Sequence, residues 1–320
     1  MSFKVLQPGL LSLIQDLGRF GQHDIGLTTG GPLDSDAFLW ANRILHNESN
    51  ACAIEVSFGG LQLLVQTDSY FCVTGAGLDI SVNGVNKALW ASHKVVSGDE
   101  IKLGYSSHGC RSYIGIAGGF NINPSFGSSA TVMREKVGGL NGAKLAANDI
   151  LPCAKTTELV RQALPESDWP LYGQQGSNEQ ESDAVLHLLP GYQHHLFDST
   201  TRARFFNSQY TVTDRSDRMG MRLEGPAVPC PSEKMLSEGI CLGAVQVPAD
   251  GQPIVLLNDR QTIGGYPKIG AIIARDTAHL AQLRPGDTVH FEAVDLFQAH
   301  TINTLAQLKF NATPLLHLKD

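Results

Sequence analysis

Short extended apolar runs, each closed by glycine or a brief polar turn, fill most of this chain. Phe3 to Leu6 ends at Pro8-Gly9. Ile54 to Val56, Leu61 to Val65, Tyr70 to Thr74, Leu78 to Val82, Ile101 to Leu103 and Arg111 to Ile116 follow. Runs this short cannot carry helices of ordinary length, so the pattern calls for strands joined by tight connections. The 33 glycines and a charged fraction of only 17% in 320 residues fit the same turn-rich profile. One helix stands out against it. Asp34 suits an N-cap, and Ala37, Phe38, Ala41, Ile44 and Leu45 follow at spacings of three and four on one face.

A turn signature recurs along the chain. Gly98-Asp99, Asn148-Asp149 and Gly286-Asp287 each stand just before an apolar run. Such turns need a residue tolerant of positive φ, then a short side chain able to bond the backbone. Their presence in both halves suggests related barrel-like domains. Residues 154 to 183, rich in Pro, Gly, Gln and acidic side chains, read as a linker between an N-terminal β-rich domain (1–153) and a C-terminal domain (184–320). Helices in the second half are expected only near 193–204 and 276–283. The fold class expected is mainly β with a few helices.

A net charge of −7 offers a phosphate backbone no general attraction, which argues against a nucleic-acid partner. No apolar run nears the ~20 residues that span a bilayer, so no membrane role is expected. The opening residues lack a signal-peptide core, and the six cysteines are scattered without a Cys-x-x-Cys pair. Reduced thiols of a cytoplasmic protein are the expectation.

Several motifs are missing from the sequence. It has no P-loop and no nucleophile elbow, and Gly115 to Gly119 lacks dinucleotide spacing. His194-His195 are neighbours, which a helix would splay apart, so no metal site is expected. Lys234-Met235 lacks the Met-Lys-Met turn of a biotin carrier, so no covalent biotin is expected on this chain.

Three segments combine polar groups with glycine. In Gly251 to Lys268 an apolar strand runs into Asn258-Asp259-Arg260-Gln261-Thr262 and then Gly264-Gly265-Tyr266-Pro267-Lys268. Polar side chains at a strand end, beside backbone that a ligand can approach, commonly line small-molecule pockets. Arg260 offers a fork for a carboxylate, and Asn258 and Gln261 can match both halves of an amide. Thr213 to Leu223 concentrates charge, with Arg215, Asp217 and Arg218 as a potential Arg–Asp network. Gln15 to Arg19, together with Thr28 to Asp34, places a loop before a helix N-terminus, either as an ordinary cap or as an anion seat.

Taken in order, Gln15-Asp16-Leu17-Gly18-Arg19, Gly30 to Asp34, Ala41-Asn42-Arg43, Asn47, Glu55 to Gly60, Thr74 to Ala76, Arg111 to Gly119, Ser216 to Leu223 and Gly251 to Lys268 resemble a known family over about residues 3–295. This is the family of the 5-oxoprolinase C subunit, KipA and allophanate hydrolase subunit 2, also called the biotin-dependent carboxyltransferase family. The chain lacks an arginine that the family usually carries within Gly127 to Thr131, and Ala143 stands where Gly-Arg is usual.

The resemblance implies two cyclophilin-like β-barrel domains and two partners, the KipI-like B subunit and the A subunit of 5-oxoprolinase. It implies ATP-dependent opening of 5-oxo-L-proline to L-glutamate, with ATP shared with or bound by a partner. The family also implies two alternatives: a carboxyltransferase component acting on urea or a related amide, and a KipA-like regulator binding a KipI-like kinase inhibitor. For a cyclic amide acid, Arg260, Arg215 or Arg218 would hold the carboxylate, and Asn258 and Gln261 the amide. Thr262, Gly264, Gly265, Tyr266 and Lys268 would line the site. Asp259 or Asp217 would orient these groups or act as base.

Overall fold

A computed structural model describes residues 1–170, 183–230 and 235–319; the central part of the expected linker and Lys234 lie outside these. Among the described residues four α-helices stand among many short strands, so the chain is mainly β. It divides into two compact units. The first comprises residues 1–22, 29–177 and 313–320, and the second 23–28 and 178–312.

Besides a two-stranded sheet that pairs Gln162–Ala163 with Leu316–His317, the first unit carries two large sheets. One runs Ile150–Pro152, Ser2–Pro8, Leu61–Val65, Glu100–Leu103, Ile80–Val82 and Val85–Lys87. The other runs Leu11–Gln15, Ala53–Ser57, His108–Ile116, Ser69–Gly77 and Ser92–Val95. Phe3, Val5, Ile54, Val56, Leu61, Leu63, Phe71, Val73, Ile101 and Ile114 meet in one buried core fed by both sheets. Alternation along Leu61–Val65, buried at every second residue, follows from a strand with one wet face. The helix at Ser35–Ile44 (α1) forms where expected. Asp34 accepts from the Ala37 amide at 2.9 Å, and Ala37, Phe38, Ala41 and Ile44 are buried.

The second unit is built on a closed barrel. Round its circumference run Asp183–Pro190, Lys268–Ile272, Ala244–Gln246, Ile254–Leu256, Gly220–Glu224, Gln209–Val212 and Thr288–Ala293. Parallel pairing of Asp183–Pro190 with Thr288–Ala293 closes the ring and leaves no edge between first and last strand. Phe205 stacks on Phe291 at 4.5 Å beside the buried ring of Tyr210. A separate ribbon pairs Glu238–Gly239 with Ile263–Gly264.

The helices of this unit depart from expectation. His194–Leu196 is a single 3-10 turn, and the α-helix begins afresh at Ser199–Phe206 (α2), where Asp198 accepts from the Thr201 amide. Extended backbone at Phe197 and Asp198 separates the two. Ala274–Leu280 (α3) was anticipated. Leu296–Ala312 (α4) was not: its apolar residues are spread around the helix, so no single stripe marks it.

All three recurrent turns share one geometry. Gly98, Asn148 and Gly286 have φ of 101°, 74° and 99°. The aspartate that follows each accepts, through Oδ2, from the amide three residues earlier: Val96 to Asp99 at 2.8 Å, Ala146 to Asp149 at 2.7 Å, Arg284 to Asp287 at 2.7 Å. Each turn therefore launches its strand from a backbone already locked by its own side chain.

Candidate functional site

The segment Gly251 to Lys268 begins as the barrel strand Ile254–Leu256, turns through 257–262, joins the ribbon at Ile263–Gly264 and re-enters the barrel at Lys268. Its polar residues separate into two groups with different partners.

The first group holds the turn together. Arg218 and Asp259 form a forked, buried ion pair, and the Asp259 amide donates to the Arg218 carbonyl at 3.0 Å. Arg260 is 7% exposed, with Nε on the Ile240 carbonyl at 3.2 Å and Nη1 on the Leu257 carbonyl at 3.3 Å. Burial lowers its pKa from the usual arginine value. Two of the donors that a carboxylate clamp would use are thus spent on main chain, tying the turn to the residue after the ribbon. Asp217 likewise turns inward on its own loop, its Oδ1 accepting from the Met219 and Gly220 amides. Arg215 and Gln261 are exposed, and Asn258 and Thr262 half-buried; the Thr262 carbonyl accepts from the Ile240 amide. Of the expected Arg–Asp network, Arg218 pairs with Asp259.

The second group gathers at the other end of the segment. Lys268 Nζ bonds Glu238, and Glu238 also accepts from the Tyr192 hydroxyl and, at 2.6 Å, from Gln193 Nε2. Gln193 is 3% exposed, and its Oε1 accepts from the Lys268 amide at 2.8 Å. Lys268, with Tyr192, holds the Glu238 carboxyl below its ordinary value, whereas Glu238 raises the Tyr192 phenol. Glu238 is therefore an ionised acceptor, and Tyr192 a proton-bearing donor. Register supplies two further neighbours: Gly264 lies opposite Glu238 across the ribbon, and Gln246 opposite Lys268 in the barrel. Tyr266 is exposed and Gly265 half-buried. Of the residues singled out from sequence, Gly264 and Lys268 join this cluster. Glu238, Gln193, Tyr192 and Gln246 were missed, because they come from separate stretches of the chain and no local string marks them.

In the first unit, the loop before α1 is braced from within. Asp16 accepts from the Gly18 and Ser129 amides and the Ser128 hydroxyl, and Gln15 accepts from the Gly31 amide and donates to the Thr131 carbonyl. Glu55 takes the Leu33 amide and the Tyr113 hydroxyl; burial, with Glu55 and Asp34 nearby, raises that phenol well above its usual value. Ser129, on the loop that lacks the family's arginine, is 4% exposed and bound to Asp16. Asp34 serves as a cap. In the 3-10 turn, His194 and His195 each direct Nδ1 to a carbonyl, of Gly191 and Tyr192. Among the described residues, no group of three or more His, Cys, Asp or Glu is placed to hold a metal, and no helix is long and apolar enough to cross a membrane.

Known proteins resemble this chain over most of its length. It is 36% identical to the 5-oxoprolinase C subunit of Escherichia coli (strain K12) over 299 residues, which covers 92% of each chain. It is 29% identical to urea amidolyase of Lachancea kluyveri over 311 residues, covering 91% of this chain and 17% of that one. The crystal structure of Kluyveromyces lactis urea carboxylase superposes with a TM-score of 0.90 at 27% identity, covering all of this chain and 30% of that one. Residues 25–293 match the carboxyltransferase domain, subdomains A and B, a span that takes in the polar cluster and the barrel strands around it; to that carboxyltransferase-domain family this chain belongs.

Proposed function

We propose that this chain is a component of an ATP-dependent 5-oxoprolinase assembly that opens 5-oxo-L-proline to L-glutamate, working with an A subunit and a KipI-like B subunit. The observation that carries the reading is the end-to-end match to the 5-oxoprolinase C subunit, 92% of both chains. Urea amidolyase is matched over only 17% of its length.

The Lys268 cluster supports a small amide acid as ligand. Lys268 supplies positive charge for the carboxylate, the ionised Glu238 accepts the ring N–H, and Tyr192 and Gln193 fix Glu238 in place. Arg218, Asp259 and Arg260 brace the turn that delivers Gly264 and Lys268 to the cluster. Asp217 has the same bracing role on its own loop.

An unstrained lactam resists water at neutral pH, and coupling to ATP activates its carbonyl. The sequence offers no P-loop to cradle a phosphate chain. ATP is therefore assigned to a companion chain, and no step here passes through it.

A second reading, a carboxyltransferase component acting on urea, is favoured by the 0.90 superposition on urea carboxylase. Co-purifying the chain with homologues of the 5-oxoprolinase A and B subunits and measuring ADP release separates the two. Release driven by 5-oxoproline and unaffected by avidin supports the first; release driven by urea and stopped by avidin replaces it with the second.

A further inference from the structure

Gln246 ends the barrel strand Ala244–Gln246 and is 3% exposed, yet its Nε2 meets no hydrogen-bond partner among the described residues. Burying an N–H without an acceptor forfeits the bond it made to water, and a methionine of similar length would fill the same space without that penalty. Gln193 in the same cluster behaves differently, using both ends of its carboxamide.

Gly264 shows where the unpaired nitrogen points. A Cβ built on Gly264 would stand 2.8 Å from Gln246 Nε2 and 2.4 Å from Ile240 Cδ1, so any side chain there would displace them. No positive φ marks Gly264, so its backbone does not demand glycine. The missing side chain instead lets Gln246 Nε2 and Ile240 Cδ1 pack directly against the backbone of the ribbon Glu238–Gly239/Ile263–Gly264. The same ribbon carries Glu238 directly opposite Gly264, and Lys268 sits opposite Gln246. An unused neutral donor and an ionised acceptor thus flank one glycine. The ribbon pairs only two residues on each side, a short element anchored by Glu238 on Lys268 and by Ile240 on Arg260 and Thr262.

We propose that Gln246 is a substrate-binding residue: when the ribbon lifts, its Nε2–H donates to the carbonyl oxygen of a small amide whose adjacent N–H is accepted by Glu238. The ligand class is an amide presenting N–H and C=O along one edge, as a lactam or a ureide does. The inference rests on the reading above that an amide acid binds beside Lys268, and it adds the group that recognises the carbonyl.

Calorimetric titration of the full chain, assembled with its companions, with 5-oxoproline, 2-pyrrolidinone and urea tests it. L-Proline, which keeps the ring and carboxylate but has no lactam carbonyl, is the reference ligand. Gln246→Met and Gly264→Ala should each weaken the bound amide about tenfold, and the preference for 5-oxoproline over L-proline should fall by the same factor. Gln246→Met should melt no lower than the wild type. The proposal is overturned if the wild type binds none of the three amides, if Gln246→Met binds within twofold of the wild type, or if it weakens L-proline equally. Turnover of 5-oxoproline with an unchanged Gln246→Met KM removes only the role of Gln246. Binding of urea alone, weakened in the variant, keeps that role and removes the 5-oxoproline reading.

Discussion

Arg218 meets Asp259 through two parallel hydrogen bonds, Nε to Oδ2 at 2.9 Å and Nη2 to Oδ1 at 3.0 Å, with both side chains buried. Removing one member leaves the other charge stranded away from water. Asp259→Asn or Arg218→Met should therefore cost about 3–5 kcal/mol in urea denaturation, and the paired variant Arg218→Met/Asp259→Leu should recover most of it. Loss of turnover in Asp259→Asn at unchanged stability would instead make Asp259 the base.

Arg260 and Lys268 should fail in opposite ways. Arg260→Met loses bonds to two buried carbonyls and should lower stability by about 1–3 kcal/mol, with the KM for 5-oxoproline moving less than twofold. Lys268→Met should raise that KM at least tenfold while the protein stays folded, since it removes the cation assigned to the carboxylate. Steady-state kinetics and melting curves on the same preparations decide between them.

The aspartates of the three matching turns should differ by one bond. Asp149→Ala and Asp287→Ala each delete one side-chain bond to a backbone amide and should each lose about 1 kcal/mol, whereas Asp99→Ala also deletes the bond from Asn83 Nδ2 and should lose about 2 kcal/mol. Gly98→Ala tests the backbone alone. A Cβ there meets nothing within 4 Å, so the whole loss, about 1–2 kcal/mol, comes from its left-handed φ. A much larger loss in one turn would show that it has a further role.

Acid sensitivity should report His93. Burial pushes its pKa below the ordinary 6.5, against the pull of the Ala88 carbonyl at 2.8 Å. The unfolded chain therefore binds a proton that the folded one releases. This contribution to stability is complete above pH 6.5 and drains away as pH falls towards the depressed folded value. His93→Gln has no such titration, so its denaturation midpoint should fall less steeply through that window.

Thiol reactivity should follow burial. Cys241 is exposed and should react first with an aromatic disulfide reagent. Cys72 and Cys110 are buried and should label only on unfolding, while half-buried Cys52, its thiol pushed up to about 11 by burial, should lag behind Cys241. Rapid labelling of Cys72 in the native protein would contradict this packing.

The legible parts of the fold are those written in one stretch of chain. Asp34 and the apolar spacing after it mark α1, and Leu61–Val65 shows its alternation directly. The turn chemistry at Gly98, Asn148 and Gly286 is legible for the same reason, since each bond spans three residues. Helix α4 was hidden because Leu296, Phe297, Leu305 and Leu308 are all exposed, so its apolar residues trace no buried stripe.

The candidate site was half legible. Gly264 and Lys268 belong to a distinctive string, but Glu238 reaches Lys268 across 30 positions and Gln193 across 75. Only barrel closure brings those side chains together. Arg260 was conspicuous in sequence as a cation open to a ligand, and folding commits two of its donors to the Ile240 and Leu257 carbonyls.

The return of residues 313–320 to the first unit bears on biosynthesis. Strand Leu316–His317 pairs with Gln162–Ala163, and Arg43 Nη2 holds the Thr313 carbonyl at 2.7 Å. A ribosome reading this message delivers the whole barrel before it delivers those contacts, so the unit begun first is the last to be finished. Truncation before Thr313 would therefore spare every barrel strand and strip the first unit of the strand that pairs with Gln162–Ala163.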